Sequence, residues 1–325
     1  MAELNIIEGI RDAIEYEMRR DERVLLLGLD IGRLGGVFRA TKGLLDEFGP
    51  DRVIDPPLAE GAIIGSSIGL AMSGLVPIAE IQFLGFTHQA FHQLAGQLAR
   101  TRFRTRGRLG VPVTVRAPFG GAVKTPEFHP DAIEAQYVQA PGLKIVCPAT
   151  PADAKGLLLQ AIRDPDPVMY LEPQRLYRKG REEVPEGNFT VPFGKARMAR
   201  QGDHVTLIAW SAAVDLALQA AERLATEGIE AGVLDLRTLV PLDVELLTSE
   251  VARTGKAVVV HEAPLSGGFG AEIAATLQEE CFFSLDAPIA RVTSWDTPYP
   301  PGALEDWYLP SVERVVAKAR SVVQS

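Results

Sequence analysis

Short apolar runs alternate along this chain with longer segments whose apolar residues recur every three or four positions. Residues 4–20 set Ile7, Ile10, Ile14 and Met18 on one helical stripe, and Val24-Leu25-Leu26-Leu27 follows as a strand. Further strands are predicted at 53–54, 76–81, 111–115, 143–147 and 168–171, with helices at 89–100 and 152–162 among them. Such alternation predicts βαβ units and a mostly parallel sheet, whose ligands bind where strand carboxyl ends meet loops and helix N-termini. A polar stretch at 181–192, with Pro185, Gly187 and Pro192, interrupts the pattern. Beyond it the alternation restarts with strand 205–208, helix 212–225, strand 232–236, helix 244–254, strand 257–260 and a helix after Gly270. The expected fold class is therefore α/β in two domains, residues 1–185 and a smaller one at 186–325.

Nineteen residues, 61–79, carry no charge, about the length of a membrane span. Ser66, Ser67, Ser73, the glycines and Pro77 argue instead for a helix ending near Gly74 and then a strand. Gly61, Gly65, Gly69 and Ser73 recur every four residues and leave one helix face bare for the close approach of another backbone. Glu60 opens this helix, where the positive end of the dipole favours a carboxylate.

Composition narrows the partners. With 33 Lys+Arg against 42 Asp+Glu the net charge is −9, which argues against a nucleic-acid-binding surface. The arginines at 100, 102, 104, 106 and 108 around Phe103 then read as a solvated or subunit-facing patch. Two cysteines, Cys147 and Cys281, cannot build a disulfide framework or a cysteine zinc site, and the N-terminus has no secretory pattern. A reducing, cytoplasmic setting is expected.

Among residues that carry chemistry, His129 lies in a loop ahead of a helix predicted from Asp131. A loop imidazole is a better acid–base candidate than a core one. Asp131 and Glu134 read as that helix's N-cap and first-turn acid. His88 and His92 stand four apart without a third ligand, so a metal there is not expected. The turn Gly267-Gly268-Phe269-Gly270 precedes a helix and is a weak candidate anion cradle.

Taken together, Gly35-Gly36-Val37-Phe38, Arg52-Val53-Ile54-Asp55, Pro57-Leu58-Ala59-Glu60, Glu80-Ile81-Gln82-Phe83, Pro141-Gly142-Leu143-Lys144 and Asp153-Ala154-Lys155-Gly156-Leu157 form a specific set. Ala161-Ile162-Arg163-Asp164, Leu176-Tyr177-Arg178, Asp235-Leu236-Arg237-Thr238 and Asp296-Thr297-Pro298-Tyr299-Pro300 extend it over nearly the whole chain. In these motifs the chain resembles the β subunit of the thiamine diphosphate-dependent decarboxylase component of 2-oxo acid dehydrogenase complexes, of the pyruvate and branched-chain type. The resemblance implies a transketolase-like pyrimidine-binding domain followed by a smaller transketolase C-terminal domain. It also implies an α2β2 heterotetramer acting on a 2-oxo acid and passing the acyl group to lipoyl on an acyltransferase core.

The same resemblance assigns residues. Glu60 matches the glutamate that bonds the cofactor's aminopyrimidine ring nitrogen and thereby promotes ylide formation. Gln82, Phe86 and Gln89 match positions around the pyrimidine, and His129 matches the histidine that assists proton transfer. The main chain at Val113, Ala161, Ile162, Asp164 and Asp166 matches a potassium site of some relatives. The magnesium motif Gly-Asp-Gly…Asn-Asn has no counterpart, since Gly202-Asp203 is followed by His204 and no Asn-Asn pair occurs. The α subunit is therefore expected to hold Mg2+ and the diphosphate. Two departures stand out: Gly28-Leu29-Asp30 replaces a Gly-Glu-Asp, and His129-Pro130-Asp131-Ala132 replaces a His-Ser-Gln-Ser. A split transketolase's C-terminal subunit and a non-catalytic assembly subunit are the alternative readings.

Overall fold

The computed structural model describes residues 1–325, which separate into two compact units. The first comprises Met1–Phe119 and Gln136–Phe193, and the second Gly120–Ala135 and Gly194–Ser325.

In the first unit, strands run in the order Lys144–Val146, Val168–Pro173, Thr114–Phe119, Val76–Glu80, Val24–Gly28, Val53–Ile54. Every neighbouring pair is parallel. The four central strands are buried at every position, as a sheet covered by helices on both faces requires. Helix Ile6–Arg20 starts at a capping box, with Asn5 accepting from the Glu8 N–H and Glu8 accepting from the Asn5 N–H. Its stripe of Ile7, Ile10, Ile14 and Met18 is buried, and the helix packs on helix Pro151–Arg163. There the chains approach closely, since a Cβ on Gly9 would come within 2.9 Å of the Pro151 carbonyl. Each such fully buried aliphatic side chain contributes about 1.5–3 kcal/mol.

The second unit contains a sheet in the order Ala290–Ser294, Ala257–Pro264, Val205–Ala209, Ala231–Asp235, Arg197–Arg200. The last strand is antiparallel and the others parallel. Helices Ala212–Ala225, Val244–Thr254, Gly270–Cys281 and Val312–Val323 pack on it. The predicted bounds of the first two hold to the residue. Asp243 caps the second through the Leu246 N–H, and Gly255 ends it with φ 66°. Both cysteines are buried free thiols, and no helix is long and apolar enough to cross a membrane.

Three local expectations are corrected. The strand expected at 111–115 lies at Thr114–Phe119, with buried Val111 and Val113 leading into it around Pro112. The helix expected at 89–100 is instead a 3-10 segment, Leu84–Ala90, followed by a π-helical one, His92–Leu98. A β-carbon on Gly96 would stand 3.0 Å from His92 Nδ1, so the glycine makes room for that ring. No helix begins at Asp131: the helical turn is Ala135–Val138, and Glu134 faces the interior.

A buried ion cluster sits in the middle of the first sheet. The Arg116 guanidinium pairs with Glu80 at 2.6 Å and with Glu172 at 2.7 Å, and Tyr177 Oη donates to Glu172 at 2.5 Å. Burial raises the Glu80 carboxyl, an effect Arg116 opposes. Substituting Arg116→Met strands two carboxylates in a dry interior, which costs about 3–5 kcal/mol. Thermal denaturation is expected to show a fall of several degrees or no folded protein. A wild-type melting curve would mean that the carboxylates find another partner.

Candidate functional site

The chain leaves two neighbouring parallel strands in opposite directions. From Val24–Gly28 it crosses to Val53–Ile54 on one side, and from Val76–Glu80 to Thr114–Phe119 on the other. Loops that diverge from adjacent carboxyl ends open a crevice, the place where open α/β sheets hold their ligands. The two loops meet at Asp30 and Gln82, whose Nε2 donates to Asp30 Oδ2 at 3.3 Å. Asp30 adopts a left-handed φ of 62°, a conformation that aspartate tolerates better than most residues. Asp55 fixes the rest of the first loop by accepting from the N–H groups of Gly32, at 2.7 Å, and Arg33, at 3.1 Å. Gly36, at φ 77°, lies against the Glu80 carboxylate, where a β-carbon would come within 3.2 Å.

Glu60 begins the helix that connects Val53–Ile54 to Val76–Glu80. Helix Glu60–Met72 places the carboxylate in its first turn, at the positive end of the dipole. The residue is 8% exposed, and its Oε2 is buried without a hydrogen-bond partner. Leaving such an atom unpaired costs about 1–3 kcal/mol or more for a charged group, so it marks an acceptor kept for something else. Phe86 is half-buried with its ring edge-on to Phe83, centroids 5.5 Å apart. The Gln89 carbonyl approaches the first turn of the Glu60 helix, 3.3 Å from where Gly61 would carry a β-carbon. The first unit thus holds Glu60, Gln82, Phe86 and Gln89 on the elements that flank one crevice. The glycine stripe divides in two: Gly61 admits a neighbouring backbone, whereas Gly65 and Gly69 are exposed.

His129 belongs to the second unit, in the segment Gly120–Ala135. Carboxylates tie this loop down. The Gly121 N–H donates to Glu262 at 2.8 Å, and the Lys124 N–H donates to Glu305, which also accepts from Tyr299 Oη at 2.7 Å. Ala122, Lys124 and Phe128 have positive φ, and His129 Nδ1 lies 3.1 Å from the Glu127 carbonyl. Glu134 accepts from Trp210 Nε1 at 3.3 Å, and burial pushes its carboxyl up to about 7. His261 stacks on Trp210, and burial, reinforced by Arg291, holds its imidazole down at about 3. In the sequence this buried cluster is visible only as an isolated histidine in an apolar strand. The glycine turn, a weak candidate anion cradle, packs on His261: a β-carbon on Gly270 would stand 2.4 Å from its Nε2.

Other candidates have ordinary partners. His88 Nε2 lies 3.2 Å from Gln136 Oε1, and His92 Nε2 lies 2.8 Å from Gln97 Nε2. Around the main-chain set Val113, Ala161, Ile162, Asp164 and Asp166, Val113 O accepts from the Val168 N–H and Ala161 O from the Asp164 N–H. Lys144 Nζ pairs with Asp164 at 2.6 Å, and Arg102 pairs with Asp166.

Comparison with known proteins divides the chain similarly, except that the segment Gly120–Ala135 falls within the first match. Residues 2–180 match the transketolase pyrimidine-binding domain, and residues 194–315 match the transketolase C-terminal domain. Over 324 residues, with all of both chains covered, the protein is 49% identical to a pyruvate dehydrogenase E1 component subunit beta from Staphylococcus epidermidis. It is 47% identical, at the same coverage, to the one from Staphylococcus aureus. The chain belongs to the family of pyruvate dehydrogenase E1 beta subunits.

Solved structures carry the same fold. A split-gene transketolase chain superimposes with a TM-score of 0.80 over 99% of both chains at 24% identity. A transketolase from Pichia stipitis matches all of this chain and 46% of its own, with a TM-score of 0.70 at 14% identity. For this E1 beta-family member the crevice thus lies in the domain whose relatives are pyrimidine-binding. Several family motifs serve as scaffold: Arg52 donates to the carbonyls of Met18, Asp21 and Val24, and buried Asp235 pairs with Arg197 at 2.9 Å.

Glu134 makes a pH prediction. The folded chain holds this proton to about 7, whereas the unfolded chain releases it near 4.5, so its contribution to stability is lost as pH rises through that window. Glu134→Gln keeps the acceptor for Trp210 and removes the titration. Its melting temperature is expected to gain on wild type from pH 4.5 to about 7 and then to level off. The gain corresponds to on the order of 1–3 kcal/mol. A difference that does not change with pH would show that Glu134 titrates normally.

Proposed function

We propose that the chain is the β subunit of a heterotetrameric 2-oxo acid dehydrogenase E1 component, with pyruvate as the favoured substrate and branched-chain 2-oxo acids second. The observation that carries this reading is the buried, unpartnered Oε2 of Glu60 beside the switch-point crevice. A thiamine diphosphate pyrimidine fits these residues, because its ring nitrogen meets the need of a buried carboxyl oxygen without a partner. Bound there, the cofactor supplies the electron sink that lets a 2-oxo acid lose carbon dioxide.

The rest is the work of this chain's own side chains. Glu60 holds the ring nitrogen through Oε2 and sets its proton affinity in a dry site, as a proton relay requires. Phe86 would offer an aromatic face to the pyrimidine, Gln82 is oriented by Asp30, and the Gln89 carbonyl lies against the first turn of the Glu60 helix. His129 donates its Nδ1 hydrogen to the Glu127 carbonyl, which leaves Nε2 as the atom that accepts a proton.

The diphosphate and Mg2+ fall to an α subunit. Here the only Gly-Asp of magnesium-motif type is structural: Asp203 pairs with Arg253 at 2.6 Å, and a β-carbon on Gly202 would collide with the Ala231 backbone. The exposed stretch of Gly65 and Gly69 suits a close helix approach by that partner. The solved split transketolase chain bears the description of an inactive β4 tetramer, and we expect the present chain to be inactive alone. Transfer of the acyl group to lipoyl on an acyltransferase core completes the proposed cycle. A potassium ion at the main-chain carbonyls of Val113, Ala161, Ile162, Asp164 and Asp166 is the lesser part of the proposal, because Lys144 already brings a positive charge to Asp164. Ketol transfer between sugar phosphates is the competing chemistry, favoured by the full-length superposition on the split transketolase.

Glu60→Gln decides the role of the carboxylate. Co-expressed with the α subunit, the variant is expected to assemble normally and to lose oxidative decarboxylation of pyruvate by about 10²–10⁴-fold. Near-normal turnover would remove Glu60 from the chemistry. Ketol transfer by the wild-type pair without release of carbon dioxide would favour the transketolase reading.

A further inference from the structure

A groove of about 550 Å³ lies in the second unit, between the edge strand Ala290–Ser294 and helix Val312–Val323. Its size falls within the range of small-molecule sites. Three cations line it: Arg291, Arg314 and Lys318. Arg291 donates to the Leu265 carbonyl, and Arg314 donates to the carbonyls of Leu309 and Thr293. Neither makes a salt bridge to a carboxylate, and burial lowers the Arg314 guanidinium, as expected of a partly desolvated charge with no counter-ion. Asp296 is the one acid lining the groove; it accepts from the N–H and hydroxyl of Ser266, and its charge also acts on Arg291.

This concentration of positive charge stands out in a chain of net charge −9. Guanidinium groups present forked N–H donors that suit phosphate oxygens, and Lys318 adds an exposed ammonium at the rim. The rest of the lining combines the hydroxyl residues Thr293, Ser294 and Ser321 with Leu265, Val292 and the indole of Trp295, over which Arg314 lies at 4.4 Å. Trp295 in turn stacks on Trp307, and the two are 43% and 63% exposed.

We propose that this groove binds a small organic phosphate, a phosphorylated molecule with an apolar or ring-bearing body, whose phosphate balances the excess of Arg291, Arg314 and Lys318 over the single carboxylate of Asp296. The site stands in the second unit and takes no part in the chemistry at Glu60. Trp295 forms part of its wall and stacks on Trp307, so occupancy is expected to change indole fluorescence.

The test is a titration of the full chain, and of its complex with the α subunit, with pyrophosphate and with an adenine nucleotide. Indole fluorescence and calorimetry would be followed together, with saturating thiamine diphosphate present to exclude the cofactor site. Saturable one-to-one binding is expected. Arg291→Gln and Lys318→Glu should each weaken it by about tenfold, the loss of one charge-assisted bond. Lys318 has no partner in the fold, so that variant tests the site without risk to folding. Absence of saturable binding would overturn the proposal, as would binding that neither variant weakens. Tighter binding of a tricarboxylate than of either phosphate would overturn the phosphate assignment.

Discussion

The site depends on one topological constraint: two adjacent parallel strands, Val24–Gly28 and Val76–Glu80, send their chains in opposite directions. Their following loops separate, and the crossover from Val53–Ile54 returns as a helix that starts with Glu60. A carboxylate is thereby buried at a helix N-terminus with one oxygen left unbonded. Beneath the crevice the Arg116 cluster holds Glu80 and Glu172 in the sheet, so that a charged interior and an open ligand edge share the same strands. Glu80 and Gln82, two residues apart, divide these tasks: one locks the sheet and the other turns to Asp30.

The second unit anchors its histidine differently. Carboxylates from Glu262 and Glu305 accept main-chain N–H groups of the segment Gly120–Ala135, and Glu134 reaches inward to Trp210. Side-chain acceptors thus satisfy main-chain N–H groups along a loop with several positive φ values. His129 is held by this framework. Rigidity here comes from acids distant in sequence, which can keep a loop in place when its own residues change.

Much of the scaffold was legible because its signals are local. Ile7, Ile10, Ile14 and Met18 repeat at helical spacing, Asp243 caps its helix, and unbroken apolar runs mark strands buried on both faces. Glu60 could be placed because its position before a glycine-rich helix follows from residues 57–69 alone. What stayed hidden is non-local. Glu134 looked like a first-turn acid, and only its contact with Trp210, far along the chain, reverses that reading. His261 and the glycine turn after it seemed unrelated, yet the turn is packed on the imidazole. The left-handed Asp30 and its bond to Gln82 join two loops separated by a whole βαβ unit, a pairing that no sequence spacing expresses.

The central claim is that the Glu60 crevice is half of a decarboxylating site and needs a second chain to work. Carbon dioxide release from pyruvate, measured with thiamine diphosphate and magnesium for this chain alone, the α subunit alone and the co-expressed pair, tests it most directly. The account predicts release by the pair and none by either chain. Release by this chain alone would contradict the shared site, and a cofactor-loaded pair that releases none would contradict the decarboxylase reading itself.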